Sequence, residues 1–381
     1  MPDDFELIPI SLADRRGVAR FVGVPWFIHR EHAPSDHWVP PLRMDRRDYL
    51  NPRKNPMWKH MEGRLWIARR GGKDVGRVAA VIDRAYNDFH GEKTGFVGMF
   101  ECPDDASMAN ALFDVAIDWM RGRGMTRALG PTELNSNYIW GCLLDAFDRD
   151  PGINMPYNPP YYPALFDGYG FEKAKDLYQW AFDVRSDVPE RIGRVADRVK
   201  KRERLTIREL DHSDWDAEVD RCLDIYNEAW DANWGFAPLD REEWHHIAKD
   251  LKMVLNPKLG LMAEVDGEPV AFALSIMNIN PTLKKVNGRV NLRGIYHLLM
   301  DIKVNNQIDS GRLILLGIKR KFRRRGIDVM LMVETHRAAQ SLGYVSGELG
   351  WTLEDNEMIN KPIQMFGATR CATYRVYEKA I

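Results

Sequence analysis

Twice in 381 residues the chain runs through the same succession of local signals, and that recurrence limits its fold more than any other feature. In the first half, an apolar strand at residues 65–68 leads through Gly71-Gly72-Lys73-Asp74 into Val75-Gly76-Arg77-Val78-Ala79-Ala80-Val81, a hairpin pattern. In the second half, a strand at residues 259–264 leads through Asp266-Gly267 into Val270-Ala271-Phe272-Ala273-Leu274-Ser275, where Asp-Gly supplies the turn. After the first hairpin come a strand at 94–100, a helix at 105–121 with Met108, Leu112, Val115, Ala116 and Trp119 at helical spacing, and a strand at 126–129. After the second come a strand at 313–318, a helix at 326–342 carrying Met330, Leu331, Val333 and Ala338, and a strand at 346–352. Each half then passes a glycine (Gly170, Gly367) into a closing strand rich in aromatic residues.

A chain of 381 residues exceeds what one hydrophobic core serves. The repeat therefore predicts a tandem duplication of an α/β unit (α+β, mixed sheet), with domains at 1–190 and 205–381. The charged join at 187–204 reads as a solvated helix or linker.

Composition narrows the function classes. The 54 basic and 55 acidic side chains nearly cancel, so no global field draws the protein to nucleic acid, and membrane contact is at most peripheral. Cys102, Cys142, Cys222 and Cys371 stand far apart, with no CxxC pair and no histidine at ligand spacing, so neither a metal site nor a disulfide framework is expected. The start, Met1-Pro2-Asp3-Asp4-Phe5, has no apolar run, and no uncharged stretch approaches the length of a membrane span, which points to the cytoplasm.

The chemistry is concentrated where Leu313-Ile314-Leu315-Leu316-Gly317-Ile318 hands over to Lys319-Arg320-Lys321-Phe322-Arg323-Arg324-Arg325-Gly326-Ile327-Asp328 and the helix that follows. A buried strand, a basic loop with glycine and a helix N-terminus form an anion cradle. Free amides and the helix dipole favour negative charge, and arginines add charge-assisted bonds to phosphate. At the same place in the first half stands Glu101-Cys102-Pro103-Asp104-Asp105, whose carboxylates would repel a diphosphate. One anion site per chain is expected, in the second half.

These residues resemble the pyrophosphate loop of the GNAT acyl-CoA N-acyltransferase superfamily, Arg/Gln-x-x-Gly-x-Gly/Ala. Arg323-x-x-Gly326 matches it, with Asp328 in place of the last small residue. The resemblance implies a tandem GNAT protein whose first domain is degenerate and shapes the substrate cleft, as in N-myristoyltransferases and Fem aminoacyltransferases, which it is similar to in architecture only. It implies acyl-CoA as cosubstrate, no metal, and a small-molecule or lipidic amine as acceptor. The pantetheine arm would pair with Leu316, Gly317 and Ile318. Lys319, Arg323, Arg324, Arg325, Gly326 and Ile327 would hold the phosphates, and Asn356 would lie near the thiol.

Acyl transfer to an amine needs a base for the amine, donors for the oxyanion and an acid for the thiolate. Many family members place a tyrosine four residues before the glycine of the last helix-to-strand turn, but counting back from Gly367 gives Ile363. Tyr374, with Tyr377, is the substitute on the closing strand. Glu348 is the first candidate base and Glu354 the second. On the acceptor side, Tyr226, Asn233 and Trp234 lie in an aromatic segment suited to an acyl chain or an apolar amine. Tyr157 and Asn158 sit in a proline-rigid loop, and Asn137 follows the strand that ends near Gly130-Pro131. Two other readings stay open: a non-catalytic acyl-CoA sensor with the same fold, and a Fem-type transferase that takes an aminoacyl group from tRNA.

Overall fold

The computed structural model describes residues 4–202, 204–289 and 308–381, so the first three residues of the acidic start lie outside it. In chain order the first half contains β1 (Phe5–Ile10), α1 (Arg15–Phe27), α2 (Arg43–Tyr49), β2 (Met61–Arg70), β3 (Lys73–Asp83), α3 (Arg84–His90), β4 (Thr94–Glu101), α4 (Ala106–Arg121), β5 (Arg127–Thr132), β6 (Cys142–Leu143), α5 (Tyr162–Gly168) and β7 (Glu172–Asp183). There follow α6 (Glu190–Arg202), β8 (Leu205–Glu209), α7 (Trp215–Trp230), α8 (Arg241–Val254), β9 (Leu255–Val265), β10 (Glu268–Met277) and α9 (Asn280–Val286). The rest comprises β11 (Ser310–Ile318), α10 (Ile327–Ser341), β12 (Ser346–Leu353), α11 (Glu357–Met365) and β13 (Thr369–Ala380). The strands and helices anticipated from both hairpins and their followers match these elements to within a residue or a few at their ends, and together they form a mixed α/β architecture.

The chain divides into two compact units. The first takes in the described residues of Met1–Leu177, Pro281–Leu298 and Ala372–Ile381; the second takes in those of Tyr178–Asn280 and Leu299–Cys371. The closing strands are exchanged. From Tyr178 onward β7 belongs to the second unit, where its neighbour is β12. From Ala372 onward β13 belongs to the first unit, pairing antiparallel with β5 from Tyr377↔Gly130 to Ala380↔Arg127.

The local causes are the usual ones. At the β9–β10 turn Asp266 and Gly267 both take positive φ (49° and 82°), the geometry that the Asp-Gly pair accommodates. Asp105 caps α4 by accepting from the Met108 amide, and Asp240 with Glu243 forms a reciprocal capping box at α8. Along α4, Met108, Leu112, Phe113, Ala116 and Ile117 are fully buried against the first sheet, each large side chain worth roughly 1.5–3 kcal/mol.

The charged segment read as a solvated helix or linker differs from that expectation. It forms α6, whose Ile192, Ala196 and Val199 are buried in the second core with Ile327 and Met330 of α10. Apolar residues at a spacing of three and four were present, but the charge around them masked the stripe. Gly326, the N-cap of α10, has φ 84°, and a Cβ there would stand 2.7 Å from Val199 Cγ2. Gly326→Ala is expected to destabilise the second unit by about 1–3 kcal/mol, from backbone strain plus the clash. Thermal or urea unfolding should show the loss, with part of it returned by Val199→Ala, because the two sites are coupled.

Candidate active site

In the second unit β11 and β12 run parallel and pair from Ser310↔Ser346 to Leu313↔Leu349, and there the ladder stops. Two local features open this fork. On the β10 side the register shifts, with Leu274 opposite Leu315 and Ser275 opposite Leu313, so Ile314 is an extra residue that bulges the strand. On the β12 side the carbonyl of Gly350 accepts from Arg312 Nε (2.9 Å) and Nη2 (2.6 Å). A buried guanidinium thus takes the place that the next ladder bond would fill. Residues 315–318 keep their pairing to β10 while their other edge faces the gap. Ile314, Leu315, Leu316 and Ile318 are accordingly only partly buried, although they belong to an apolar strand.

The open edge ends at the basic loop. Several cations there are already engaged: Lys319 and Lys321 pair with Glu268, and Arg320 pairs with Asp231 while its amide donates to Glu228. Arg323 donates to the carbonyls of Ala229 (2.7 Å) and Ile318 (3.4 Å), so it ties the loop to α7 and the strand end. Arg324 is exposed, with φ 61° and no ion pair among the described residues, and Arg325 stacks over Phe322. Asp328 lies in the first turn of α10, whose N-cap is Gly326, and burial raises its pKa. The acid that departs from the loop motif thus stands at the helix start, where negative charge is favoured. One cation escaped sequence reasoning: Arg202, at the end of α6, donates to the carbonyl of Arg325 at 2.9 Å. Only the packing of α6 on α10 could have revealed it.

Glu348 lies on β12 at the register of Arg312, and its carboxylate accepts from Nε2 of the buried Gln179 at 2.8 Å. Glu354 follows the end of β12, and Asn356 is the N-cap of α11, with no side-chain capping bond. Ile363, where a tyrosine was sought, is a buried core residue of α11. Tyr226 and Trp230 stack at 4.8 Å, and Tyr226 also meets Phe236 and Trp244; burial raises the Tyr226 pKa. Trp230 covers Gly317 so closely that a Cβ there would lie 2.4 Å from the ring. Asn233 accepts from the Phe236 amide in the turn after α7, beside Trp234. Glu348, Glu354, Asn356, the basic loop and this aromatic group all belong to the second unit.

Tyr374, Tyr157, Asn158 and Asn137 belong to the first unit. Tyr374 is buried on β13 opposite Leu143. Tyr157 bonds Ser35 and the Phe147 carbonyl, Asn158 holds both backbone groups of Leu143, and Asn137 has a buried Nδ2 without a partner. At the first unit's own fork, β4 and β5 pair up to Gly98↔Thr132. Arg77 faces Glu101 at 3.4 Å, Tyr162 donates to Glu101 (2.8 Å), and Arg46 pairs with Glu133 (2.6 Å). The hydroxyls of Tyr161 and Tyr162 also tie down the backbone of Cys102. Burial raises the pKa of Glu101 and Glu133, and burial with the nearby Arg77 lowers that of His29 to about 3.

The chain has two full-length relatives. It is 36% identical over 386 residues to the bacterial ceramide synthase of Caulobacter vibrioides, covering 99% of this chain and 98% of that one. It is 32% identical over 378 residues to protein YghO of Escherichia coli, covering 97% and 95%. Among solved structures, a tandem GNAT protein from the clavulanic acid biosynthesis pathway superposes with a TM-score of 0.57 at 13% identity, covering 99% and 98%. This chain belongs to the family of those two relatives and has the tandem GNAT fold. A GCN5-related N-acetyltransferase from Sphaerobacter thermophilus shares the fold, with a TM-score of 0.53 at 14% identity over 100% and 96% of the chains. No family model matches the sequence. Among the described residues no helix is long and apolar enough to cross a membrane.

Two outcomes follow for the plugged fork of this tandem GNAT protein. Arg77→Met leaves Glu101 buried without its cation and should cost about 3–5 kcal/mol in thermal unfolding, part of it recovered by adding Glu101→Gln. His29 binds a proton more weakly folded than unfolded, so between pH 6.5 and about 3 the unfolded chain takes up more protons and acid lowers stability. Wild type should therefore lose stability relative to His29→Phe as pH falls through that window, and parallel curves would contradict the burial argument.

Proposed function

We propose that this protein transfers an acyl group from acyl-CoA to the amine of a lipidic acceptor, with the donor bound in the second unit. The observation that carries the reading is the fork: a strand edge left unpaired after Leu313↔Leu349 and ending at a cationic loop and a helix N-terminus. An extended amide-bearing arm can pair with such an edge by strand addition, and a diphosphate suits the loop. Lys319, Arg324, Arg325, Gly326 and Ile327 are the proposed phosphate side, and Leu316 to Ile318 the pantetheine side. Arg323 serves by holding the loop in place. The first unit does not bind a second donor on this reading, because Glu101 and its partners fill its fork.

The acceptor class draws support from the full-length relative named a ceramide synthase, ceramide being a fatty amide of a long-chain amino alcohol. The apolar walls around the second fork fit such a molecule. In the reaction the amine attacks the thioester carbonyl, the amide forms, the thiolate leaves, and the amine's proton must be taken up. Glu348 is the proposed base, directly or through water, held by Gln179 and set beside Arg312. Glu354 is the second candidate. In the second unit Tyr226, Asn233 and Trp234 are the proposed acceptor contacts.

The test is release of free CoA thiol with an acyl-CoA series and long-chain amino alcohols, with the amide identified by mass spectrometry. Amine-dependent thiol release and a matching amide are expected. Binding of acyl-CoA without turnover on any amine would instead support the sensor reading, and a requirement for aminoacyl-tRNA would support the Fem-type reading. Glu348→Gln should lower kcat by roughly a hundredfold or more if the carboxylate is a general base, with acyl-CoA affinity retained.

A further inference from the structure

On the first unit four arginines stand together without an acid to balance them. Trp26, near the end of α1, is their anchor. Its indole Nε1 donates to Asn287 Oδ1 at 2.9 Å, and Gly288 lies so close that a Cβ there would overlap the ring. The Gly288 carbonyl in turn accepts from the Arg43 amide at the start of α2 (3.1 Å), and the Arg43 guanidinium lies 4.0 Å over the same indole. Residues 287–289, which follow α9, are thereby fixed against α1 and α2, with Arg289 at their end; all of them belong to the first unit.

The charge around Arg43 is of one sign. Burial lowers its pKa, and so do Arg289, Arg47 and Arg30, whose like charges act on it. Those three are exposed, and among the described residues none of the four makes an ion pair. Arg43 Nε is buried without a partner. The acids nearest in sequence serve other cations: Asp45 acts on Arg46, Asp48 holds Lys54, and Glu31 faces Lys73. Holding like charges together is unfavourable, and an incoming anion relieves it. Because the guanidinium fork matches the oxygens of a phosphate, phosphate is the anion that suits the cluster.

Two observations choose among the carriers of phosphate. Met44 follows Arg43 on α2, one turn before Arg47, and is 53% exposed. The cluster thus includes an apolar side chain that water disfavours and a lipid interface accepts. Trp26, in contrast, is buried beneath Arg43, so it offers no open aromatic face to a nucleotide base. We propose that this surface docks the protein on a membrane bearing anionic phospholipids, with Arg30, Arg43, Arg47 and Arg289 on the headgroup phosphates and Met44 set into the interface. The inference goes beyond the acyl-transfer reading and rests on it only for its purpose, since a lipidic acceptor is drawn from a membrane.

The experiment is cosedimentation of the full chain, without substrate, with vesicles of phosphatidylcholine alone or mixed with phosphatidylglycerol. Binding to the mixed vesicles only, weakening as salt rises, is expected. Each arginine at an anionic surface is worth about fivefold in affinity, so Arg30→Gln/Arg47→Gln/Arg289→Gln should lose about a hundredfold. Arg43 is kept in that variant to preserve its packing on Trp26, and thermal unfolding confirms that each variant folds. Removing the same charge from exposed cations of α6, as Arg191→Gln/Arg198→Gln/Lys201→Gln, should change binding far less. Met44→Ser should weaken binding in a way that high salt does not mask. Equal losses from the two triple variants would reduce the effect to net charge and overturn the assignment. So would a first triple variant that loses binding to tRNA or inorganic phosphate but not to vesicles. Acyl transfer to a detergent-dispersed amino alcohol is measured alongside. Wild type that binds vesicles but transfers no acyl group sinks the acyl-transfer reading alone, and wild type that transfers but does not bind vesicles sinks the docking surface alone.

Discussion

The parting of two parallel strands is the feature on which the rest of the second unit depends. A parallel ladder is normally continuous, and ending one in the middle of a sheet leaves backbone amides and carbonyls that must be satisfied. Here the bulge at Ile314 turns β11 away, and the Arg312 guanidinium meets the Gly350 carbonyl where the next ladder bond would have been. Burying Arg312 is costly unless its donors are met, so the same contact that opens the fork also secures the arginine. An open strand edge that runs into a cationic loop then follows from one interruption.

The two halves show how one scaffold is made open or closed. Both have a hairpin, a third strand, a helix and a parallel partner strand, and in both the third strand is bulged where the hairpin meets it. In the second half that strand ends in cations. In the first it ends in Glu101, which is drawn inward by Arg77 and Tyr162 and sealed by the tyrosine contacts to Cys102. A buried ion network of this kind is expensive to assemble but holds its partners in one arrangement, because removing any member strands the others. The first unit's fork is thereby occupied by internal structure.

Much of this was legible in the sequence because it depends on short-range signals. Asp-Gly turns, alternating strands, the helical spacing of Met108 and Leu112, and a basic loop between a strand and a helix are all local. The carboxylates at 101–105 set the first half's loop apart from the basic loop of the second, although they did not reveal that Arg77 would pair with one of them. What stayed hidden depends on contacts distant in sequence. The strand exchange, the apolar stripe of α6 within its charges, the Arg312 contact to Gly350 and the support of Glu348 by Gln179 join residues 38 to 169 positions apart or more. Arg323 reads from the motif as a phosphate ligand, yet its donors meet backbone carbonyls, which no local pattern could indicate.

The central proposal is that an acyl-CoA lies along the open edge of β11 and against the loop that follows. Amide hydrogen exchange, with and without saturating palmitoyl-CoA, tests it most directly, since strand addition protects the amides it covers. Slower exchange is predicted across residues 314–327, with residues 98–105 unchanged. Protection confined to the first half, or none anywhere while the ligand is bound, would contradict the account.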